Sequence, residues 1–274
     1  MMTVEVKLMC NVKFGIKVEA KDADSAFLKW VSILKPQDQS EAASESRDGM
    51  VAGEVVNAIT EIADPTRCIM KNRIRKMPIR YAVGEMLWYI HGSRDLQSIK
   101  LYTDGWDRMS DDGLTVNSNY GWCIKRKYGF DQVKSVLKLL CDDKSTRQAV
   151  INIKEPQEYE GLDNQSKDIN CTVCFQFLVR DRKLYMTTYM RSNDIWLGFP
   201  FDVFQFTNLQ VWMAMELGVG VGTYTHIAGS LHLYQRDYEV IRERELEQDE
   251  ERVKDQIYKK FKAGELVEKG SSNV

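Results

Sequence analysis

The segment from Met190 to Asp202, MRSNDIWLGFPFD, constrains the chain more than any other. It joins a strand-like alternation, LYMTTYM, to a helical run, DVFQFTNLQVWMAMELG, and a second strand-like stretch, YTHIAGSLHLY, comes next. Gly198 and Pro200 fix a tight turn that orients the start of the helical run, and Asp202 is the residue it aims. Core packing alone does not select the polar half of the segment. Arg191 with Ser192 offers a planar donor fork and a hydroxyl, a pairing suited to a phosphate, although an ion-paired surface turn beside a buried strand has the same composition.

A length of 274 residues accommodates one large domain or two, and no repeat or linker divides it, so residues 1–274 read as a single domain. The 38 basic and 40 acidic residues nearly cancel, which argues against a polycation for DNA or a membrane surface and leaves any anionic ligand to local arginines. Six scattered cysteines (10, 68, 123, 141, 171 and 174) follow an N-terminus charged too early for a secretory leader. The expected home is a reducing cytoplasm, a host's if the gene is a phage's. No apolar stretch approaches the roughly 18 residues of a membrane span.

Residues 3–20 alternate loosely as one or two strands, and Asp24 to Leu34 has helical spacing behind an Asp–Ser start suited to a cap. VAGEVVNAITEI is strand-rich, and RCIMKNRIRK is a basic connection. From Ile79 the pattern is a buried helix that sets Glu85 among Val83, Met86, Leu87 and Trp88. A carboxylate there is costly, which points either to proton transfer or to a well-paired core charge. NSNYGW reads as a turn entering a helix, FDQVKSVLKLLCDD as a helix, STRQAVINI as a strand, and CTVCFQFLV as a strand entering the core. The helix after Asp202 should face the core through Phe204, Leu209, Trp212 and Met213. Residues 240–274 are a charged helix and a soft tail. Cys171 and Cys174 could form a redox pair or half a zinc site, but no second pair and no paired His stands at ligand spacing, so no metal is expected.

The segment RSNDIWLGFPFD resembles the RSxDxxLGxPFN signature of the thymidylate synthase family, and its final Asp resembles the deoxycytidylate hydroxymethylases of that family's phage members. Five further blocks match in family order: GEMLWYIHGS (84–93), NSNYGW (117–122), STRQAVI (145–151), CTVCFQF (171–177) and GSLHLY (229–234). Residues 1–20 fall outside the match. The resemblance implies an α/β (α+β) single domain, a mixed sheet packed by helices, dimerising through the sheet. It also implies a pyrimidine deoxynucleoside monophosphate as substrate and 5,10-methylene-tetrahydrofolate as co-substrate, with no metal.

Residue by residue, the resemblance makes Cys171 the nucleophile, five residues before Gln176, and Glu85 the proton relay. Tyr120 would face the reacting base. Arg47 (38 residues before Glu85), Arg191, Ser192 and a partner subunit's Arg147 would hold the phosphate, and His232 with Tyr234 the sugar 3′-hydroxyl. Asp194 and Trp106 would contact the folate. Besides Asp202, this chain departs from the family pattern in four places: Thr146 replaces one of two adjacent arginines, Asn170 and Thr172 replace the proline and histidine flanking the cysteine, and Met109 replaces a second folate-side tryptophan. Arg191 beside Cys171 should favour its thiolate. Asp202, unlike an asparagine, repels uracil O4 and can accept from the cytosine 4-amino group, and when protonated it can donate to N3. The expectation is dCMP hydroxymethylation. Thymidylate synthesis, dCMP methylation and a non-catalytic nucleotide- or RNA-binding relative are the alternatives.

Overall fold

The computed structural model describes residues 13–35, 44–45, 49–160 and 167–262. Arg47 and the tail beyond residue 262 lie outside the described residues. The elements run β1 (Lys13–Phe14), β2 (Lys17–Ala20), α1 (Ala23–Leu34), β3 (Ser44–Glu45), β4 (Val51–Ile62), α2 (Ile79–His91), α3 (Leu96–Lys100), α4 (Tyr120–Lys125) and α5 (Gln132–Asp142). They continue with β5 (Val150–Asn152), β6 (Thr172–Arg180), β7 (Lys183–Met190), β8 (Asn193–Asp194), α6 (Phe199–Glu216), β9 (Gly220–Tyr234) and α7 (Tyr238–Lys262).

All the strands join one mixed sheet in the order β1-β4-β9-β7-β6-β5, with β2 and β3 also on β4 and β8 on β9. β4 is antiparallel to β9, whereas β7 and β9 are parallel, because α6 crosses between them and returns the chain in the same direction. The period-2 alternation buries Phe175, Phe177, Leu184, Met186, Tyr224 and Ala228 on one face. α1 and α6 lie on the sheet, and α2 packs on α6 and α4. The opposite face leaves Cys174, Gln176, Tyr185, Thr187 and Ile227 partly exposed.

The β4–β9 ladder is interrupted at one pair of residues. Asn57 adopts φ 56° and is skipped in the β4–β9 pairing, as is Gly229 opposite it. A Cβ on Gly229 would lie 2.9 Å from the Arg191 carbonyl oxygen, so the bare glycine lets β9 press against the exit of β7.

Three expectations need correction. The cap of α1 is Asp22, which accepts from the Ser25 amide at 2.9 Å, while Asp24 accepts from the Lys71 and Asn72 amides and so ties the basic connection to the helix. Trp212 is 44% exposed, because the buried rows of α6 run through Phe206, Gln210, Met213 and Ala214 and leave position 212 on the outer side. The strand in STRQAVINI is only Val150–Asn152, since Asp143 and Thr146 hold the preceding residues in turns. The charged C-terminal helix is anchored: Ile241 is buried, Tyr238 accepts from the Gly53 amide at 2.8 Å, and Arg244 donates to the Ile74 carbonyl at 2.7 Å. Among the described residues no helix is long and apolar enough to cross a membrane.

Candidate active site

The antiparallel pairing of β6 and β7 sets Cys171 against Arg191. The Arg191 amide donates to the Cys171 carbonyl at 2.8 Å, and its guanidinium wraps the preceding loop, with Nε 2.9 Å from the Asn170 carbonyl and Nη2 3.5 Å from Cys171 Sγ. Arg191 does favour the thiolate, as expected, but the balance of effects runs the other way. Burial pushes the Cys171 thiol up by more than Arg191 and Lys154 pull it down, and the charges of Asp202 and Asp194 push the same way. Cys174 is not bonded to Cys171, and it lies on the sheet face opposite Phe175 and Phe177.

Two helices supply the acids. Glu85 of α2 is 3% exposed; Tyr81, one turn earlier, donates to its Oε1 at 2.7 Å, and Gln205 of α6 donates to its Oε2 at 3.0 Å. Burial pushes Glu85 up to about 7, against the pull of those hydrogen bonds. Asp202 lies in the first turn of α6 and accepts from Asn193 Nδ2 at 2.7 Å. Burial and the Glu85 charge push it up to about 8. Near neutral pH the site thus holds two carboxyl groups able to keep or yield a proton, as acid–base chemistry requires.

Tyr120 opens α4 behind the Asn119 cap, and its ring packs on Tyr89 and Phe206. Burial raises its hydroxyl well above the ordinary value, and the charges of Asp202 and Cys171 add to the shift, so this neutral phenol belongs to the same cluster. Trp106 is half-buried and donates from its indole nitrogen to the Tyr81 hydroxyl at 3.0 Å. Its ring therefore flanks the Tyr81–Glu85 pair.

Around this cluster His232 and Tyr234 stack edge to face at 4.9 Å, and His232 Nδ1 lies 3.5 Å from Ser230 Oγ, whose hydroxyl donates to Glu54. Asp194 spends Oδ1 on the Trp196 and Leu197 amides, and Oδ2 lies 3.6 Å from Arg236. Ser192 is half-buried at the strand exit. Arg147 is not brought to Cys171: it lines a separate surface groove with Lys144, Arg180 and Arg182 beside the far half of β6. Among the described residues no group of three or more His, Cys, Asp or Glu is placed to hold a metal.

Residues 37–264 match the family model for thymidylate synthase. The chain belongs to the thymidylate synthase family. It is 33% identical over 196 residues to a deoxyuridylate hydroxymethyltransferase of Bacillus phage SP01, a match covering 68% of this chain and 51% of the relative. The chain therefore spans about half the length of that curated relative. The thermostable thymidylate synthase A of Bacillus subtilis has the same fold, with a TM-score of 0.63 and 23% identity over 81% of this chain and 83% of that one.

Several residues of the cluster carry no role in the family blocks as read from the sequence. Tyr81 and Gln205 stand four before Glu85 and three after Asp202, and that helical spacing is a signal that could have found them. Lys154, with a side chain 5% exposed and 3.5 Å from Glu158, acts electrostatically on Cys171 and Arg191, and nothing in NIKEP marks it. Asn193 and the histidine behind it, His226, are visible only in three dimensions.

Proposed function

We propose that this member of the thymidylate synthase family is a folate-dependent one-carbon transferase acting on C5 of a pyrimidine deoxynucleoside monophosphate, with dCMP as substrate and 5-hydroxymethyl-dCMP as product. The observation that carries the choice of base is Asp202, a half-buried acid pushed up to about 8 where the family signature ends in Asn. A neutral carboxyl group can donate to cytosine N3 and accept from its 4-amino group together.

In the proposed reaction Cys171 Sγ bonds to C6, and the negative charge that builds on the ring is met at N3 by the Asp202 proton. Arg191 and Lys154 lie where they oppose the cost of forming the thiolate. Tyr120 stays neutral and faces the base, Arg191 and Ser192 take the phosphate with Arg47 and a partner subunit's Arg147, and His232 and Tyr234 take the sugar. Trp106 and Asp194 would hold methylene-tetrahydrofolate, which would supply the one-carbon unit to C5; loss of the C5 proton with departure of tetrahydrofolate leaves an exocyclic methylene for water to add to, and the Sγ–C6 bond then breaks to free Cys171. Glu85, poised near neutrality, serves as base toward the water that completes the hydroxymethyl group. Hydroxymethylation is supported by Met109 and Thr172, which replace the tryptophan and histidine of the closed family site, and by the name of the phage relative. The assembly proposed is a homodimer through the partly exposed sheet face, and no DNA partner is invoked.

One observation favours a second substrate, dUMP: the phage relative is named for deoxyuridylate. Turnover of both nucleotides by the native chain and by Asp202→Asn separates the two. The native chain should prefer dCMP and the variant should shift toward dUMP; a native preference for dUMP removes the cytosine assignment.

A further inference from the structure

A neutral carboxyl group alone matches either base. With the proton on one oxygen it presents a donor and an acceptor to cytosine N3 and the 4-amino group, and with the proton on the other it presents the reverse pattern, which suits uracil N3–H and O4. Discrimination therefore needs something that decides which oxygen of Asp202 carries the proton.

The structure holds such a device. Asn193 Nδ2 is 2.7 Å from Asp202 Oδ2, Asn193 Oδ1 is 3.1 Å from His226 Nε2, His226 Nδ1 is 2.9 Å from the Tyr224 hydroxyl, and that hydroxyl is 3.1 Å from Thr188 Oγ1. His226, Tyr224, Thr188 and Asn193 are all buried. Burial holds His226 neutral, so its ring carries one N–H, and the chain can run in only two directions. In one direction Nε2–H donates to Asn193 and Asn193 to Asp202; in the other both donors are reversed and the Asn193 amide is turned over. The amide stands the first way, with Nδ2 on Asp202 Oδ2 and Oδ1 on His226 Nε2.

The position beside the pair is cleared for it. Gly198 has φ −87°, a value open to any residue, yet a Cβ there would lie 2.9 Å from Asn193 Nδ2 and 3.1 Å from Asp202 Oδ2. Asp202 Oδ1 has no protein partner among the described residues.

We infer that Asn193 is a positioning residue for substrate choice: held as a donor by the buried His226 behind it, it keeps Oδ2 of Asp202 an acceptor and confines the proton to Oδ1. This rests on the proposal that Asp202 reads the base. Neither Asn193 nor His226 touches the substrate in this account.

The test is the ratio of kcat/KM for dCMP to that for dUMP, with methylene-tetrahydrofolate, for the native chain, Asn193→Leu, His226→Phe and His226→Gln. Asn193→Leu removes the donor and should compress the native ratio toward one by on the order of tenfold. His226→Phe leaves Asp202 and its neighbour in place but frees the Asn193 amide to turn, so the ratio should compress in the same direction. His226→Gln can still donate to Asn193 Oδ1 and should restore the ratio. Equal losses on both nucleotides with the ratio preserved would mark Asn193 and His226 as structural and overturn the inference, as would failure of His226→Gln to differ from His226→Phe. Should the native chain prefer dUMP, the cytosine reading falls, while compression of that opposite ratio still decides the role of Asn193. If Asn193→Leu does not fold, the His226 pair carries the decision.

Discussion

Replacing Glu85 with Gln removes a titrating group from the joint between α2 and α6 while keeping its shape. Gln205 can accommodate the change, because its Oε1 is buried without a partner and turning its amide presents an acceptor to the new amide hydrogens. In the native chain burial moves Glu85 from an ordinary 4.5 to about 7, so the folded protein holds this proton more tightly than the unfolded chain does. Its stabilising contribution is fully present below pH 4.5 and is lost as the pH rises through about 7. The gap corresponds to roughly 3 kcal/mol, a few hundredfold in the ratio of folded to unfolded chain. Asp202 moves with it, because the Glu85 charge is one cause of its raised value. Urea unfolding of both chains should show the stability of the variant relative to the native chain improving by roughly 3 kcal/mol between about pH 4.5 and about pH 9, while hydroxymethylation is lost. A difference that is flat with pH, or that grows in favour of the native chain, would refute the picture of Glu85 as a buried group that keeps its proton near neutrality.

Other substitutions address the remaining parts of the site. Cys171→Ser should abolish turnover while calorimetric binding of the nucleotide survives, and Cys174→Ser, on the opposite sheet face, should be mild; equal loss in both would point to a joint role for the pair. Lys154→Met should raise the pH at which Cys171 becomes reactive to alkylation, since the Lys154 charge lowers that thiol's pKa, and an unchanged alkylation profile would remove Lys154 from the site.

Much of the architecture is legible in the sequence because local pattern and final packing agree. The alternation of LYMTTYM forms β7, the helical spacing after Ile79 forms α2, and the capping Asn119 starts α4. Sequence alone misplaces the cap of α1 by two residues because Asp22 and Asp24 are equally good caps in isolation, and only the neighbouring Lys71–Asn72 backbone claims the second. The apolar spacing of the helix counts Trp212 with the core, whereas the phase of the folded helix leaves it outside. At the site, the family blocks carry most of the residues expected to touch ligands, and the structure adds what supports them. Tyr81 and Gln205 bracket Glu85 from two helices, and their spacing is a usable signal. Thr188, Tyr224 and His226 lie on neighbouring strands and meet Asn193 only through the register of β7 and β9, which periodicity does not disclose. The net upward shift of Cys171 is hidden for a related reason, since a neighbouring arginine is visible in sequence and the depth of burial is not.

The central claim is chemical, and one reaction tests it most directly: dCMP and methylene-tetrahydrofolate incubated with the native chain, with the nucleotide product weighed by mass spectrometry and the folate product identified in the same tube. The account predicts a nucleotide heavier by one hydroxymethyl group in place of hydrogen, made in step with tetrahydrofolate. A methyl-sized gain in step with dihydrofolate would contradict it, because that outcome requires hydride delivery to the one-carbon unit in place of water.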